Sequence, residues 1–211
     1  MTSIVLFGVG SSIVVEYEES CRRLGYPVAA VKNRPGPGYF GDLERLVDVG
    51  AIPPAVLSAP CLCPMFTPRH RFTAHEEALA AGFGFAGALL DPTAIVASSS
   101  TFGAGSFVNA GCVVGAKTIV AEHVVINRGA AIGHHVEIAA FASVGPGVVV
   151  GGHVTIATGV LIGAGAVLLP NVHVGARAVV GAGSVVVADV PAGATVLGNP
   201  ARIVEPAVGR V

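Results

Sequence analysis

The residues of this chain best equipped for chemistry are its seven histidines and four cysteines. Five of the histidines, His123, His134, His135, His153 and His173, lie in the C-terminal half. Imidazole changes charge near neutral pH, so each can carry a proton or ligate a metal. His134 directly precedes His135, and Gly152 and His153 follow that pair at a spacing of 18 residues. Taken alone, His134 reads as a solvent-facing histidine. The cysteines are Cys21, Cys61, Cys63 and Cys112. Cys61 and Cys63 are too close for a C-x-x-C ligand pair and no second pair follows, so they read as small buried hydrophobes in a reducing cytoplasm. Near the N-terminus, Gly8-Val9-Gly10-Ser11-Ser12 separates an apolar run from a helical pattern. The amides of such a turn can receive an anion such as a phosphate.

A repeat must position the C-terminal set. From Val96 to Val186 every sixth residue is apolar, through Val114, Ile132, Val150 and Leu168, without an insertion. A period of six fits neither an amphipathic helix nor a plain alternating strand, and marks a hexapeptide β-helix. Three hexads close one triangular coil, so residues 18 apart stack and Val96 through Val185 predicts five coils. Stacked strands lie about 4.8 Å apart. The small residue after each inward one, such as Gly103, Gly115, Gly133, Asn109 or Asn127, is expected to take the positive φ of the corner. His134 and Gly152 then share a face. His135 and His153 share a column with Lys117 below and Asn171 above, read as a polar edge. Asn109 and Asn127 should form an amide ladder, and His123 and His173 should lie at the surface.

Twelve basic against thirteen acidic residues leave no electrostatic footprint for nucleic acid. The stretch from Ile138 to Ala176 lacks Asp, Glu, Lys and Arg, yet it keeps the hexad, which a bilayer helix has no reason to do. The start MTSIVLFGVG has no basic n-region and reads as a strand, so no signal peptide is expected.

The order of elements gives two domains and a tail. Residues 3–7 predict a strand, 13–24 a helix closed by Gly25, and 26–31 a second strand. Only two glycines of the dinucleotide fingerprint are present and Lys32-Asn33-Arg34 replaces the acidic residue, which argues against a dinucleotide. Residues 42–49 suggest a short helix, 55–58 a third strand and 72–81 a further helix. The reading is mainly β: a small Rossmann-like α/β domain over 1–88, a β-helix over 89–204, and a loose tail over 205–211.

The Gly-rich turn, Asp91-Pro92-Thr93-Ala94, the coils, Ile132-Gly133-His134-His135 and Gly198-Asn199-Pro200-Ala201-Arg202 together resemble the sialic acid O-acetyltransferase-like and nucleotide-amino-sugar N-acetyltransferase family. The resemblance implies a left-handed helix and a homotrimer that binds acetyl-CoA between subunits and uses no metal. It implies that His134 is the catalytic general base and that the Gly152 N–H meets the acyl carbonyl. Ala182 resembles a second contact to the pantetheine arm, and Arg202 one near the CoA phosphates. Gly8, Gly10, Ser11, Ser12, Ser143 and His135 are the expected acceptor contacts.

Three positions depart from that pattern. His135 stands where Asp or Glu often follows the histidine, Ser143 falls where many members place a second histidine, and Ser11-Ser12 replaces Gly-His. The expected reaction is N-acetylation of an amino sugar on a nucleotide or similar carrier, in the cytoplasm. O-acetylation, or transfer to a small secondary-metabolite amine, is the alternative acceptor chemistry. A non-catalytic trimeric scaffold and a zinc carbonic anhydrase of the γ type are alternatives of other classes. The last needs a histidine pair five residues apart, which the coil lacks.

Overall fold

The computed structural model describes residues 3–36 and 38–204, so the expected tail over 205–211 lies outside the described residues. The first strand, β1 (Ile4–Phe7), is apolar throughout and wholly buried, as suits the middle of a parallel sheet. The chain continues through α1 (Val14–Arg23), β2 (Val28–Lys32), β3 (Leu46–Asp48), α2 (Pro54–Leu57), β4 (Cys61–Leu62) and α3 (Pro68–Ala80). The four strands pair in the order β3-β2-β1-β4, all parallel.

Two sequence expectations fail in this domain. The strand expected over 55–58 is α2, because Pro53 and Pro54 pre-set the first helical turn; the strand follows at Cys61–Leu62. The helix expected over 42–49 shrinks to a 3-10 turn, Leu43–Arg45, because the next residues add an edge strand to β2.

Beyond Leu89 the chain winds into a three-sided prism. The first face stacks Leu89–Leu90, Phe107–Val108, Val125–Ile126, Ser143–Val144, Leu161–Ile162 and Val179–Val180. The second stacks Ile95–Val96, Val113–Val114, Ala131–Ile132, Val149–Val150, Val167–Leu168 and Val185–Val186. The third stacks Thr101–Phe102, Ile119–Val120, Glu137–Ile138, Thr155–Ile156 and His173–Val174. Register within the repeat is fixed at 18 residues, as in Ala131 opposite Val149. At the top, Val179 pairs with Thr195, so this last turn is two residues shorter. The second residue of each pair fills one continuous core, with Ile126, Ile138, Ile156 and Ile162 at 1% exposure or less. Each such side chain contributes about 1.5–3 kcal/mol by burial.

The corner glycines do two different jobs. Gly115 and Gly133 are not the left-handed residues: a Cβ on either would lie 2.7 Å from the backbone of the coil stacked on it. Small residues stand there because successive turns touch. Positive φ falls two positions later, and seven non-glycine residues adopt it: Lys117, His123, His135, Phe141, His153, Asn171 and Arg177. The amide ladder forms as expected, Asn109 Nδ2 donating to Asn127 Oδ1 at 2.9 Å.

The domains are joined by buried contacts. Tyr17 of α1 packs on Phe107 of the first face, with ring centroids 3.9 Å apart. Asp91 accepts from Ser20 Oγ at 2.6 Å and Arg23 Nη1 at 2.9 Å, tying α1 to the first coil. Arg71 of α3, wholly buried, donates to the carbonyls of His123, Phe141 and Ala142 and to Ser143 Oγ. Burial lowers its pKa to about 10, while nearby Tyr17 and Cys63 oppose the shift.

Candidate active site

Three exposed histidines meet on the corner between the second and third faces. The strand Ala131–Ile132 turns through His134 and His135 into Glu137–Ile138, and the next coil repeats the turn at Gly152 and His153. The corner is a backbone ladder. The amides of His135, His153 and Asn171 donate to the carbonyls of Ala116, His134 and Gly152 at 2.9, 3.0 and 3.0 Å.

On this frame, His134 Nδ1 lies 3.0 Å from His135 Nδ1, with the rings nearly perpendicular at 89°. His135 stacks on His153 with centroids 4.7 Å apart and planes 12° apart. Desolvation, then the neighbouring His153, Lys117 and His134, hold His135 below the usual imidazole range. One nitrogen from each of the three rings lies within 4.8 Å of the other two, the one such group of potential metal ligands among the described residues. As arranged they do not chelate. Imidazole lone pairs lie in the ring plane, and the nearly parallel planes of His135 and His153 cannot both contain an ion at about 2.0 Å.

Gly152, one coil further on, lies directly against the His134 ring. A Cβ there would come within 2.7 Å of Cε1 and 2.9 Å of Nε2. Among the described residues, the Gly152 amide donates no hydrogen bond. A ring nitrogen and a free N–H therefore sit side by side on an exposed edge. An imidazole nitrogen can accept a proton, and a free amide can donate to a developing anion.

The other expected site residues are dispersed. Ala182 lies between Val179–Val180 and Val185–Val186, on the corner joining the first and second faces, so within one chain it occupies a different edge from His134. Arg202 is exposed on the antiparallel strand Arg202–Val204 beside Thr195–Leu197, after a cis Asn199–Pro200 bond. Gly8, Gly10, Ser11 and Ser12 form the turn from β1 to α1. Gly8 has φ +89° and is packed against Met65 and Asn33, while Gly10 opens onto a cleft of about 460 Å³ shared with Asn33, Arg34, Tyr39, His70 and Thr73. Ser143 is corrected: it is fully buried, accepts from Arg71 Nη2 at 2.9 Å and donates to the Phe66 carbonyl at 2.5 Å. An internal clamp, not an acceptor, holds its hydroxyl.

His123 is corrected too. It is 2% exposed, because α3 covers its corner. Its ring stacks on Phe141 at 4.9 Å and meets His75 and Phe85 at 4.4 and 4.6 Å. Burial, then His75 and Arg71, push its pKa down to about 4. His173 is exposed as expected, and all four cysteines are buried free thiols. The cleft residues Tyr39, His70 and Thr73 gave no sequence signal, since no local motif links three loop and helix positions 31 and 3 residues apart.

The fold is a three-sided hexapeptide prism that carries a histidine beside a bare glycine on its edge. Residues 153–188 match the family model described as bacterial transferase hexapeptide (six repeats). Comparison with curated proteins gives no match. Among solved structures, the chain is similar to the acetyltransferase domain of PglB from Neisseria gonorrhoeae FA1090 in complex with acetyl coenzyme A. They share 28% identity and a TM-score of 0.85 over 96% of this chain and 99% of that one. A histidine-to-alanine mutant of GDP-perosamine N-acetyltransferase from Caulobacter crescentus, in complex with CoA and GDP-perosamine, is 27% identical with a TM-score of 0.85 over 97% and 98%. WeeI from Acinetobacter baumannii AYE, 19% identical with a TM-score of 0.79, shares the fold. The resemblance inferred from the motifs is borne out, and with it the reading of an acyl-CoA-dependent acetyltransferase. Among the described residues, no helix is long and apolar enough to cross a membrane.

Proposed function

We propose that the protein N-acetylates an amino sugar carried on a nucleotide or similar carrier, taking the acyl group from acetyl-CoA with His134 as general base. The observation that carries this reading is the His134 ring set over Gly152, whose amide is free. The acceptor nitrogen attacks the thioester carbonyl carbon and forms the C–N bond as its proton passes to His134 Nε2. The Gly152 N–H stabilises the oxyanion. Collapse breaks the C–S bond, and the thiolate of CoA takes the proton from the imidazolium. No covalent enzyme intermediate is needed.

The coil is read as left-handed with about five turns, and the first domain as Rossmann-like, with its cleft beside Gly10 receiving the carrier. A homotrimer in the cytoplasm is part of the reading. The outer side of the second face supports assembly, because Ile95, Val113 and Val149 are 69%, 45% and 46% exposed in one stacked column. An apolar strip on a sheet face marks an interface. Ala182 and Arg202, on other edges, reach acetyl-CoA only if a second subunit brings them to His134.

The test is to incubate the protein with acetyl-CoA and matched amino-sugar and hydroxyl-sugar nucleotides, then look for an acetylated product by mass spectrometry. Acetylation of the amine-bearing member alone is expected. Product only on a hydroxyl would assign O-transfer, and acetyl-CoA binding with no product would favour a scaffold.

A further inference from the structure

We infer that His135 is a positioning residue that takes the place of a carboxylate behind His134, its Nδ1 accepting the Nδ1 proton of His134 so that Nε2 is left bare. The inference rests on the reading of His134 as the base.

Two nitrogens 3.0 Å apart must share one proton. If His135 donated it, His134 would carry its own proton on Nε2, the atom beside Gly152, and have nothing to offer an acceptor. With His134 as donor, the lone pair stands at Nε2, 2.9 Å from where a Gly152 Cβ would be. The orientation of an imidazole base is commonly fixed by a group behind its second nitrogen. No carboxylate fills that place here. Among the described residues, the one histidine–carboxylate ion pair is His75 with Glu76, and Glu137 points out from the third face with no link to the corner.

The supports of His135 suit an acceptor. Its backbone is fixed at φ 55° with the amide held by Ala116, and its ring is braced against His153. The groups that face it are His134, His153 and, from the coil below, Lys117. None is an anion that would favour the charged imidazolium. A neutral His135 accepts a proton and a charged one cannot, so the orienting contact is lost as the medium becomes acid. The acid limb of the rate then includes the protonation of His135.

The experiment is the pH profile of kcat for CoA release in four proteins: wild type, His135→Ala, His135→Asn and His135→Asp. Asn and Asp tolerate the left-handed backbone at this position. His135→Ala is expected to lower kcat about 10- to 100-fold, by analogy with lost outer-shell partners, leaving KM for acetyl-CoA unchanged. His135→Asn keeps an acceptor without a titrating group and should retain much of kcat with a shallower acid limb. His135→Asp supplies a carboxylate and should restore kcat with the acid limb moved to higher pH. Equal losses in all three variants with an unmoved profile would make the role merely structural and overturn the inference, as would wild-type kcat in all three. Wild-type turnover in His134→Ala would instead remove the base itself, which separates failure of the underlying reading from failure of this one.

Discussion

The imidazole of His134 covers the Cα of Gly152 so closely that a methyl group there would lie 2.7 Å from the ring. Gly152 has an ordinary negative-φ backbone, so alanine is strained by the ring and not by its own conformation. Gly152→Ala should displace the ring and lower kcat about 100-fold, the scale of a 1 Å misplacement. The corner is exposed, so the thermal midpoint should move by less than about 2 °C. A variant with full activity would show that the ring does not need this contact.

Arg71 satisfies five backbone carbonyls and one hydroxyl with no carboxylate near it. Arg71→Met keeps the volume but orphans those acceptors, and should cost about 3–5 kcal/mol. Urea unfolding reads the loss. A change below about 1 kcal/mol would mean that the domains hold together without this clamp.

His123 should make stability fall with acid. Its usual value of 6.5 drops to about 4 in the fold, through burial first and then His75 and Arg71. The unfolded chain therefore binds the extra proton between those two values, and stability declines as pH falls through that window and levels off below it. The full effect is about 3 kcal/mol. His123→Asn, which tolerates the positive φ at this corner, should unfold in urea with a flatter pH dependence than wild type between pH 6.5 and 4. An unchanged slope would assign the acid sensitivity elsewhere.

The apolar column of the second face bears on assembly. Val149→Asp puts charge at its middle and should reduce the proposed trimer to monomer in sedimentation, with loss of turnover. A wild-type mass at the same concentration would place the interface on another face.

The repeat made the prism legible from sequence because its period is set by geometry: one inward residue per hexad, stacked every 18. The same ruler placed His134 against Gly152 and His135 against His153. It misplaced the left-handed residues, because the glycine after each inward residue answers to contact between coils, a constraint that resembles a turn signal in one dimension. It missed His123 and Ser143 because α3 covers them, and no local pattern says which outward residues a preceding domain will bury. The strand expected over 55–58 failed where Pro53-Pro54 overrode an apolar run.

His134 is the proposed acceptor of the proton released as the C–N bond forms. The direct measurement is CoA release from acetyl-CoA with an amino-sugar nucleotide acceptor, comparing wild type with His134→Ala and His134→Asn, alongside calorimetric binding of acetyl-CoA. In both variants kcat is expected to fall on the order of 10²- to 10⁴-fold while acetyl-CoA still binds. Turnover at the wild-type rate in either variant would contradict it.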